Sequence, residues 1–221
     1  MKRKIIVISS VVVASLVLAV SIPFIVLGIR TASMEKKYDY LKEDELYSSK
    51  QEVSGVELVT QHISCGYATI EMMSSFYGNK VSEDDLSNKN NGGISTSSSN
   101  GFLKEIQNSI PNQKFVKHSY LKNDALLKEI HQSLKANHPV AIEWAAEDQN
   151  GTMTLHFSLV TSLDTKNDNV TIYNPYGYIE NIKVADFINR TSFKAFKNMP
   201  LFYDFGFAFG AFEKNVVIYA A

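Results

Sequence analysis

The stretch TQHISCGYATIEMMSSFYG, residues Thr60–Gly78, holds the single cysteine of the chain, Cys65, where a polar segment meets a helical pattern. Residues Tyr67–Tyr77 lack glycine and proline and repeat apolar side chains every fourth position, which predicts a helix that Gly78 ends. Gln61 lies four positions before the cysteine. Because a helix N-terminus favours an anion, a cysteine at this place suggests a reactive thiol rather than a packing residue.

The composition limits the classes of function. The chain has 221 residues, a formal net charge of −1 and one cysteine. A near-neutral charge provides no basic surface for nucleic acid, and one thiol excludes an intramolecular disulfide framework and argues against a multi-thiolate zinc site. No histidine or carboxylate pair has metal-ligand spacing with a credible partner. We therefore expect no metal, no cofactor and no nucleic-acid partner.

The N-terminus has the pattern of a membrane segment. Basic residues Lys2–Lys4 precede the apolar run Ile5–Ile29, which Arg30 closes. About 25 residues at ~1.5 Å rise exceed the ~30 Å hydrocarbon core of a bilayer, and the run is longer than the ~7–15 residues of a cleaved signal. We predict an anchor over residues 1–30, with the N-terminus cytoplasmic. The alternative is a signal that is cleaved, which would leave a secreted protein.

The remainder is predicted to be a juxtamembrane linker over residues 31–54 and one extracytoplasmic domain over residues 55–221. Within the domain, helix-like patterns come first and strand-like runs follow, which is typical of an α+β arrangement. The helices are expected at 67–77, 101–109 and 123–136, and the strands at 139–144, 156–164, 169–174 and 215–220.

The turn at residues 165–169 should join two of these strands in a hairpin. A hairpin places the first residue of one strand, His156, beside the last residue of the other, Asn174. Nucleophilic catalysis by Cys65 requires a base, an orienting group for that base and donors for the oxyanion. His156, Asn174 and Gln61 can fill these roles, the last together with the Cys65 backbone N–H. On this hypothesis His156 lowers the pKa of Cys65, so that the thiolate exists well below pH 8.5.

With these four residues the chain resembles the papain-like cysteine peptidases. More narrowly, it resembles the bacterial peptidases that process bacteriocins by cutting after a double-glycine leader, and their stand-alone relatives. The resemblance covers roughly Leu58–Phe187 and rests on QHISCGYATIEMMSSFYG, HPVAIEW, LHFSLVTSLD and VTIYNPYG. It implies a papain-like fold, with N-terminal helices packed on a C-terminal antiparallel sheet, and a domain of this type over residues 55–221. It also implies the same four roles: nucleophile, base, orienting residue and oxyanion donor. Two departures are a shorter Gln-to-Cys spacing and Asn174 in place of the aspartate of the bacteriocin processors.

The sequence thus predicts a membrane-anchored thiol peptidase that acts on a peptide or protein outside the cytoplasm. Two alternatives remain open. The same triad could transfer an acyl group to an amine, as an acyltransferase or transpeptidase does, or the scaffold could be a non-catalytic peptide-binding module. The aromatic stretch Phe202–Phe212 is expected to be either sheet core or a wall of the cleft.

Overall fold

A computed structural model describes the backbone of residues 2–148 and 150–221 and the side chains from residue 15 onward, residue 149 excepted. In these ranges the helices are α1 (Lys2–Met34), α2 (Cys65–Phe76), α3 (Glu83–Lys89), α4 (Ser99–Ser109), α5 (Asn123–Lys135), α6 (Val184–Thr191) and α7 (Leu201–Ala208). The strands are β1 (Gln51–Glu52), β2 (Phe115–His118), β3 (Val140–Glu147), β4 (Met153–Asp164), β5 (Asn169–Asn174), β6 (Tyr178–Ile182) and β7 (Val216–Ala220).

The strands form one antiparallel sheet in the order β2-β7-β3-β4-β5-β6, with β1 paired to β4. Helix α2 packs on β4, and α6 packs on β3 and β5. The predicted α+β architecture, with helices first and an antiparallel sheet after them, is confirmed. Helices α3, α6 and α7 and strands β1, β2 and β6 were not predicted.

The β4–β5 hairpin closes through the turn that the sequence predicted. The Asp164 carboxylate accepts hydrogen bonds from the Asn167 backbone N–H at 2.9 Å and from its side-chain amide at 2.8 Å. Asp168 has a φ of 57°, in the left-handed region that asparagine and aspartate tolerate better than most residues. Asp164 therefore closes the hairpin at the end opposite to His156.

A one-residue bulge near the middle of β4 decides which hairpin side chains share a face. Beyond the bulge Leu159 pairs with Tyr173, so the next pair brings Asn174 level with Ser158 and diagonal to His156. Diagonal neighbours on one face are within reach of long side chains. Without the bulge Asn174 would lie level with Leu159, on the other face of the sheet.

The N-terminal segment forms one long helix, α1, which is long and apolar enough to cross a membrane and whose apolar window is not buried. Signal sequences share this property, so the anchor and the cleaved signal both stay predictions. The segment predicted as a linker packs on the domain: Leu41 and Val53 are buried in the main core, and β1 pairs with β4. The domain boundaries themselves remain a prediction.

Candidate active site

Cys65 is the first residue of α2. Ser64 caps this helix, because its hydroxyl accepts a hydrogen bond from the Tyr67 N–H at 3.1 Å. The buried Glu83 carboxylate accepts hydrogen bonds from the backbone N–H groups of residues 62, 63 and 64 at 2.9 to 3.0 Å. These bonds hold the chain that enters α2 in one conformation and thereby fix the position of the thiol.

The thiol of Cys65 is partly buried and lies against β4. Burial raises its pKa to about 11; the Phe157 and Gly66 backbone N–H groups favour the anion but do not offset burial, and the Glu143 carboxyl opposes it. The expectation of a lowered thiol pKa is therefore wrong. The helix N-terminus supplies too little stabilisation, since such an end contributes only ~0.3–1 kcal/mol in exposed sites.

Glu143 was not singled out by the sequence. It lies on β3 opposite Phe157, is fully buried, and its two carboxyl oxygens have no hydrogen-bond partner among the described residues. Burial raises the pKa of Glu143 to about 8, the nearby Glu213 raises it further and Lys117 lowers it. Glu143 is therefore mostly protonated at neutral pH, and its carboxyl is near enough to Cys65 to affect the pKa of the thiol.

His156 and Asn174 are brought into direct contact, with His156 Nε2 and Asn174 Oδ1 2.9 Å apart. The orientation of the amide follows from its other partners. The Tyr176 backbone N–H can only donate, so the Asn174 side-chain atom 2.9 Å from it must be the oxygen Oδ1. The amide nitrogen donates to the Glu180 carboxylate at 2.7 Å. Since Oδ1 can only accept, Nε2 of His156 carries the hydrogen, and Nδ1 of the neutral ring is a free base.

Glu180 continues this network away from the imidazole. Its second carboxylate oxygen accepts a hydrogen bond from Arg190 of α6 at 2.8 Å, and both side chains are mostly buried. The Arg190 guanidinium lies 5.1 Å from the centre of the Trp144 ring, within the range of a cation–π contact. The orientation of Asn174 is therefore held by groups from β6, α6 and β3.

The imidazole is covered by Tyr176, whose ring stacks on it with centroids 4.2 Å apart. The Tyr176 hydroxyl lies 2.8 Å from the Thr154 hydroxyl, which fixes the cover to β4. His156 is 1 % exposed, and this burial lowers its pKa to about 4, although the bond to Asn174 works in the opposite direction. The imidazole is therefore neutral at physiological pH.

The structure does not join Cys65 to this pair directly. No hydrogen bond between Cys65 and His156 occurs in the described ranges, although the neighbours of His156 in β4, Leu155 and Phe157, line the same cavity as the thiol. Hydrogen bonds between catalytic groups are often long without substrate and shorten in the complex. The arrangement is thus a neutral thiol beside the strand that carries a neutral, oriented base.

Gln61 lies at the junction of the two halves of the site. Its backbone N–H donates to the Pro175 carbonyl at 2.8 Å, so the segment before α2 is tied to the turn after Asn174. The side-chain Oε1 is buried and has no hydrogen-bond partner among the residues described. Gly177 belongs to the same junction, because a Cβ there would lie 2.9 Å from the Thr60 hydroxyl. Gln61 as the oxyanion donor remains a prediction.

A cavity of about 360 Å³ opens at the thiol. Its walls come from α2, from the 94–97 loop, from β4 and from the aromatic tail: Ser64, Cys65, Ile94, Thr96, Ser97, Leu155, Phe157, Phe202, Tyr203 and Phe212. A second cavity, of about 570 Å³, lies on the other side of Tyr203 and reaches Met153 and Thr154. Both expectations for the aromatic stretch hold in part: Phe202, Tyr203 and Phe212 line this cleft, whereas Phe207 packs in a small core with Ala145 of the sheet.

A steric constraint explains why glycine follows the cysteine. A Cβ on Gly66 would lie 2.2 Å from the Thr96 hydroxyl, so only glycine lets the 94–97 loop approach the start of α2. Tyr67 holds this loop: its hydroxyl donates to the Gly93 carbonyl at 2.9 Å and accepts from the Ser95 N–H at 3.0 Å. The loop thereby becomes a fixed wall of the cavity.

The site residues that the sequence did not reveal differ in how they could have been found. Tyr176 follows Asn174 by two positions, so the same motif could have indicated it. Glu180 and Arg190 lie on β6 and α6, elements without a clear pattern in the sequence, and no signal pointed to them. Glu143 could have been noticed as a charge within a strand of otherwise apolar and aromatic residues.

Two comparisons give relatives of the chain. The model of the Peptidase_C39 like family matches residues 53–200, which is more than half of the chain and confirms the resemblance to this class of papain-like peptidases. No curated protein matches. Among solved structures, a double glycine motif protease from an AMS/PCAT transporter, in complex with the leader peptide, is similar with 15 % identity and a TM-score of 0.47, over 77 % of this chain and 97 % of that one.

Proposed function

The chain belongs to the Peptidase_C39 like family, and we propose that it is a membrane-anchored thiol peptidase whose catalytic groups are Cys65, His156 and Asn174. The observation that carries this proposal is the 2.9 Å contact between His156 Nε2 and Asn174 Oδ1, because it leaves Nδ1 of a neutral imidazole free to accept a proton. The thiol that would supply this proton packs against Phe157, the next residue of the strand.

The neutral pair decides how the proton moves. Burial raises the pKa of Cys65 to about 11 and lowers that of His156 to about 4, so the surroundings of both groups favour the neutral thiol and the neutral imidazole. No hydrogen bond between the two groups in the described ranges favours the charged forms instead. A preformed ion pair is therefore disfavoured, and the proton passes to Nδ1 as the sulfur–carbon bond forms.

The remaining steps follow from the same groups. As Sγ attacks the peptide carbonyl, negative charge develops on the carbonyl oxygen, where the Cys65 backbone N–H and the Gln61 amide would donate hydrogen bonds. The imidazolium then returns its proton to the leaving amine, which breaks the C–N bond and leaves a thioester on Cys65. Water activated by the same imidazole hydrolyses the thioester and restores the thiol. Asn174 keeps the ring in the required tautomer throughout.

Specific observations favour each alternative as well. The raised pKa of Cys65 favours a peptide-binding module, in which the thiol is inert. The apolar walls of the cavity, such as Leu155, Phe157 and Phe212, favour acyl transfer, since they limit the access of water to a thioester.

One experiment separates the three functions. The full chain in detergent or vesicles is incubated with a peptide library in ¹⁸O-labelled water, with and without added glycinamide, and the matched control is Cys65→Ser. New C-termini that carry ¹⁸O and depend on Cys65 support the peptidase. Glycinamide adducts without ¹⁸O products indicate acyl transfer, and equal product profiles for the two proteins would leave only the binding module.

The proposed location is tested separately. The basic residues Lys2–Lys4 before the apolar run support a cytoplasmic N-terminus and an external domain. Protease added to intact protoplasts should then digest the domain. Protection until the membrane is broken would reverse the topology, and a domain free in the medium that begins near Met34 would show a cleaved signal.

A further inference from the structure

Helix α7 carries an exposed apolar face. Leu201, Phe202 and Phe205 of α7 and its C-cap residue Phe209, here called the α7 face, occupy positions i, i+1, i+4 and i+8 and are 44 to 73 % exposed. The opposite side of the helix packs through Phe207 on a small core with Ala145 and Phe193. A contiguous exposed apolar surface of this kind usually marks a site that binds a membrane, another protein or a ligand.

The α7 face is continuous with the N-terminal helix. The rings of Phe24 in α1 and Phe205 in α7 meet edge to face with centroids 5.2 Å apart, and Leu27 packs against the small core that holds Phe207. Around these contacts α1 exposes further apolar side chains, such as Ile25 and Ile29 at 59 and 65 %. The two helices thus present one apolar surface, of which α1 provides the part proposed to lie in the bilayer.

The position of α7 along α1 matches the depth of an interfacial helix. Phe24 precedes Arg30 by six residues, or ~9 Å along the axis at ~1.5 Å per residue. Helices that lie in the membrane surface bury their apolar face ~5–10 Å into the boundary between headgroups and acyl chains. Lys197 precedes α7 by a few residues and adds positive charge suited to anionic headgroups, whereas Lys194 forms an ion pair with Glu35 of the segment after α1. The one acidic residue of α7, Asp204, is half-buried and attracts Lys214.

We propose that α7 is a membrane-interface helix whose apolar face enters the bilayer beside α1, so that the cavity of Cys65 opens at the membrane surface. This inference rests on the proposed anchor. The link to the site is direct, because Phe202 and Tyr203 of α7 and the following Phe212 are walls of that cavity. Gly206 permits this arrangement, since a Cβ there would lie 2.2 Å from the Phe212 ring. The substrate class that fits is a peptide segment held at the membrane surface.

The depth of α7 can be measured with spin labels, because Cys65 is the only native cysteine. In a Cys65→Ser background, a single cysteine replaces Phe205 or Phe209 of the α7 face, or Val17 of α1 as the control within the proposed anchor. The control outside the membrane is Leu46, which is 66 % exposed and lies near the turn of the β4–β5 hairpin, at the end away from His156. The full chain is placed in vesicles of phosphatidylcholine and phosphatidylglycerol. Collision rates of each label with oxygen and with a water-soluble nickel chelate then give its depth.

We expect the labels at 205 and 209 to lose collisions with nickel and gain collisions with oxygen, while the label at 46 shows the reverse. If the labels at 205 and 209 are as accessible to nickel as that at 46 while the label at 17 is shielded, the anchor holds and the interface helix is refuted. If the label at 17 is also accessible to nickel, the anchor fails and this inference fails with it.

A second measurement tests the substrate class. The cleavage of one peptide is compared with and without an attached acyl chain, in the same vesicles, for the wild type and for the double variant Phe205→Ser, Phe209→Ser; neither residue lines the Cys65 cavity. We expect the double variant to lose about tenfold on the acylated peptide and to keep its rate on the soluble one. An equal loss on both peptides, or none on either, would refute a site that works at the membrane surface.

Discussion

The protonation of Cys65 leads to a quantitative prediction about its reactivity. Burial raises its pKa from an ordinary value of 9.0 to about 11, so at pH 7 the thiolate fraction is about 100-fold smaller than that of an ordinary thiol, at tenfold per unit. The thiolate is the species that iodoacetamide alkylates. We therefore expect the alkylation rate of the folded chain to rise tenfold per pH unit from pH 6 to pH 10, without a plateau.

The matched variant is His156→Ala. Because the imidazole is neutral above pH of about 4, its removal should leave the slope of this profile unchanged in the absence of substrate. The measurement is the rate of alkylation by intact-mass spectrometry, with Cys65→Ser as the control that shows no labelling. A plateau below pH 8 that disappears in His156→Ala would demonstrate a preformed thiolate–imidazolium pair and refute the neutral-pair mechanism.

Three further predictions concern the groups around the imidazole and the thiol. Glu180→Ala removes the acceptor that orients Asn174 and should lower kcat about 10- to 100-fold, as expected for the loss of a charge-assisted hydrogen bond of ~1.5–3 kcal/mol. Glu180→Gln can still accept this hydrogen bond and should lower kcat less. Equal losses of kcat in the two variants would contradict the orienting role. Asn174→Ala should reduce kcat less than His156→Ala does, since only the histidine transfers protons, and Asp164→Asn, at the far end of the hairpin, should leave kcat unchanged. Glu143 keeps its proton up to a pH of about 8 in the folded chain but only up to about 4.5 in the unfolded chain, so folding is favoured by the protonated acid below pH 4.5 and this stability, on the order of 5 kcal/mol, is lost as the pH rises to 8. Denaturant unfolding of Glu143→Gln should therefore show a flatter dependence of the unfolding free energy on pH. A pH dependence equal to that of the wild type would contradict the buried acid.

The parts of the fold that could be predicted are those with a strong local signal. The periodic segments that became α2, α4 and α5 and the β-rich runs that became β3, β4, β5 and β7 were identified with ends within a few residues. The elements that were missed are short: β1 has two residues, β2 four and α3 seven. Such elements are stabilised by packing on the rest of the chain rather than by their own periodicity.

In the candidate site, too, the features with a local signal in the sequence were predicted and those that depend on tertiary packing were not. The proximity of His156 and Asn174 was predictable because one short turn fixes the hairpin, although the bulge that brings both side chains to one face has no signal in the sequence. The pKa of Cys65 was predicted in the wrong direction, because it depends on burial and on Glu143, which belongs to a distant part of the chain. Electrostatics of this kind follow from tertiary packing and not from spacing.

In the proposed mechanism Cys65 forms a covalent bond with the substrate carbonyl while His156 accepts its proton. The most direct test mixes the full chain with a peptide that it cleaves, quenches the reaction with acid during the first turnover, and searches for a thioester by mass spectrometry. We expect an acyl adduct on the fragment that contains Cys65, formed far more slowly in His156→Ala. Cleavage without such an adduct, or an adduct that forms equally fast in His156→Ala, would contradict this mechanism.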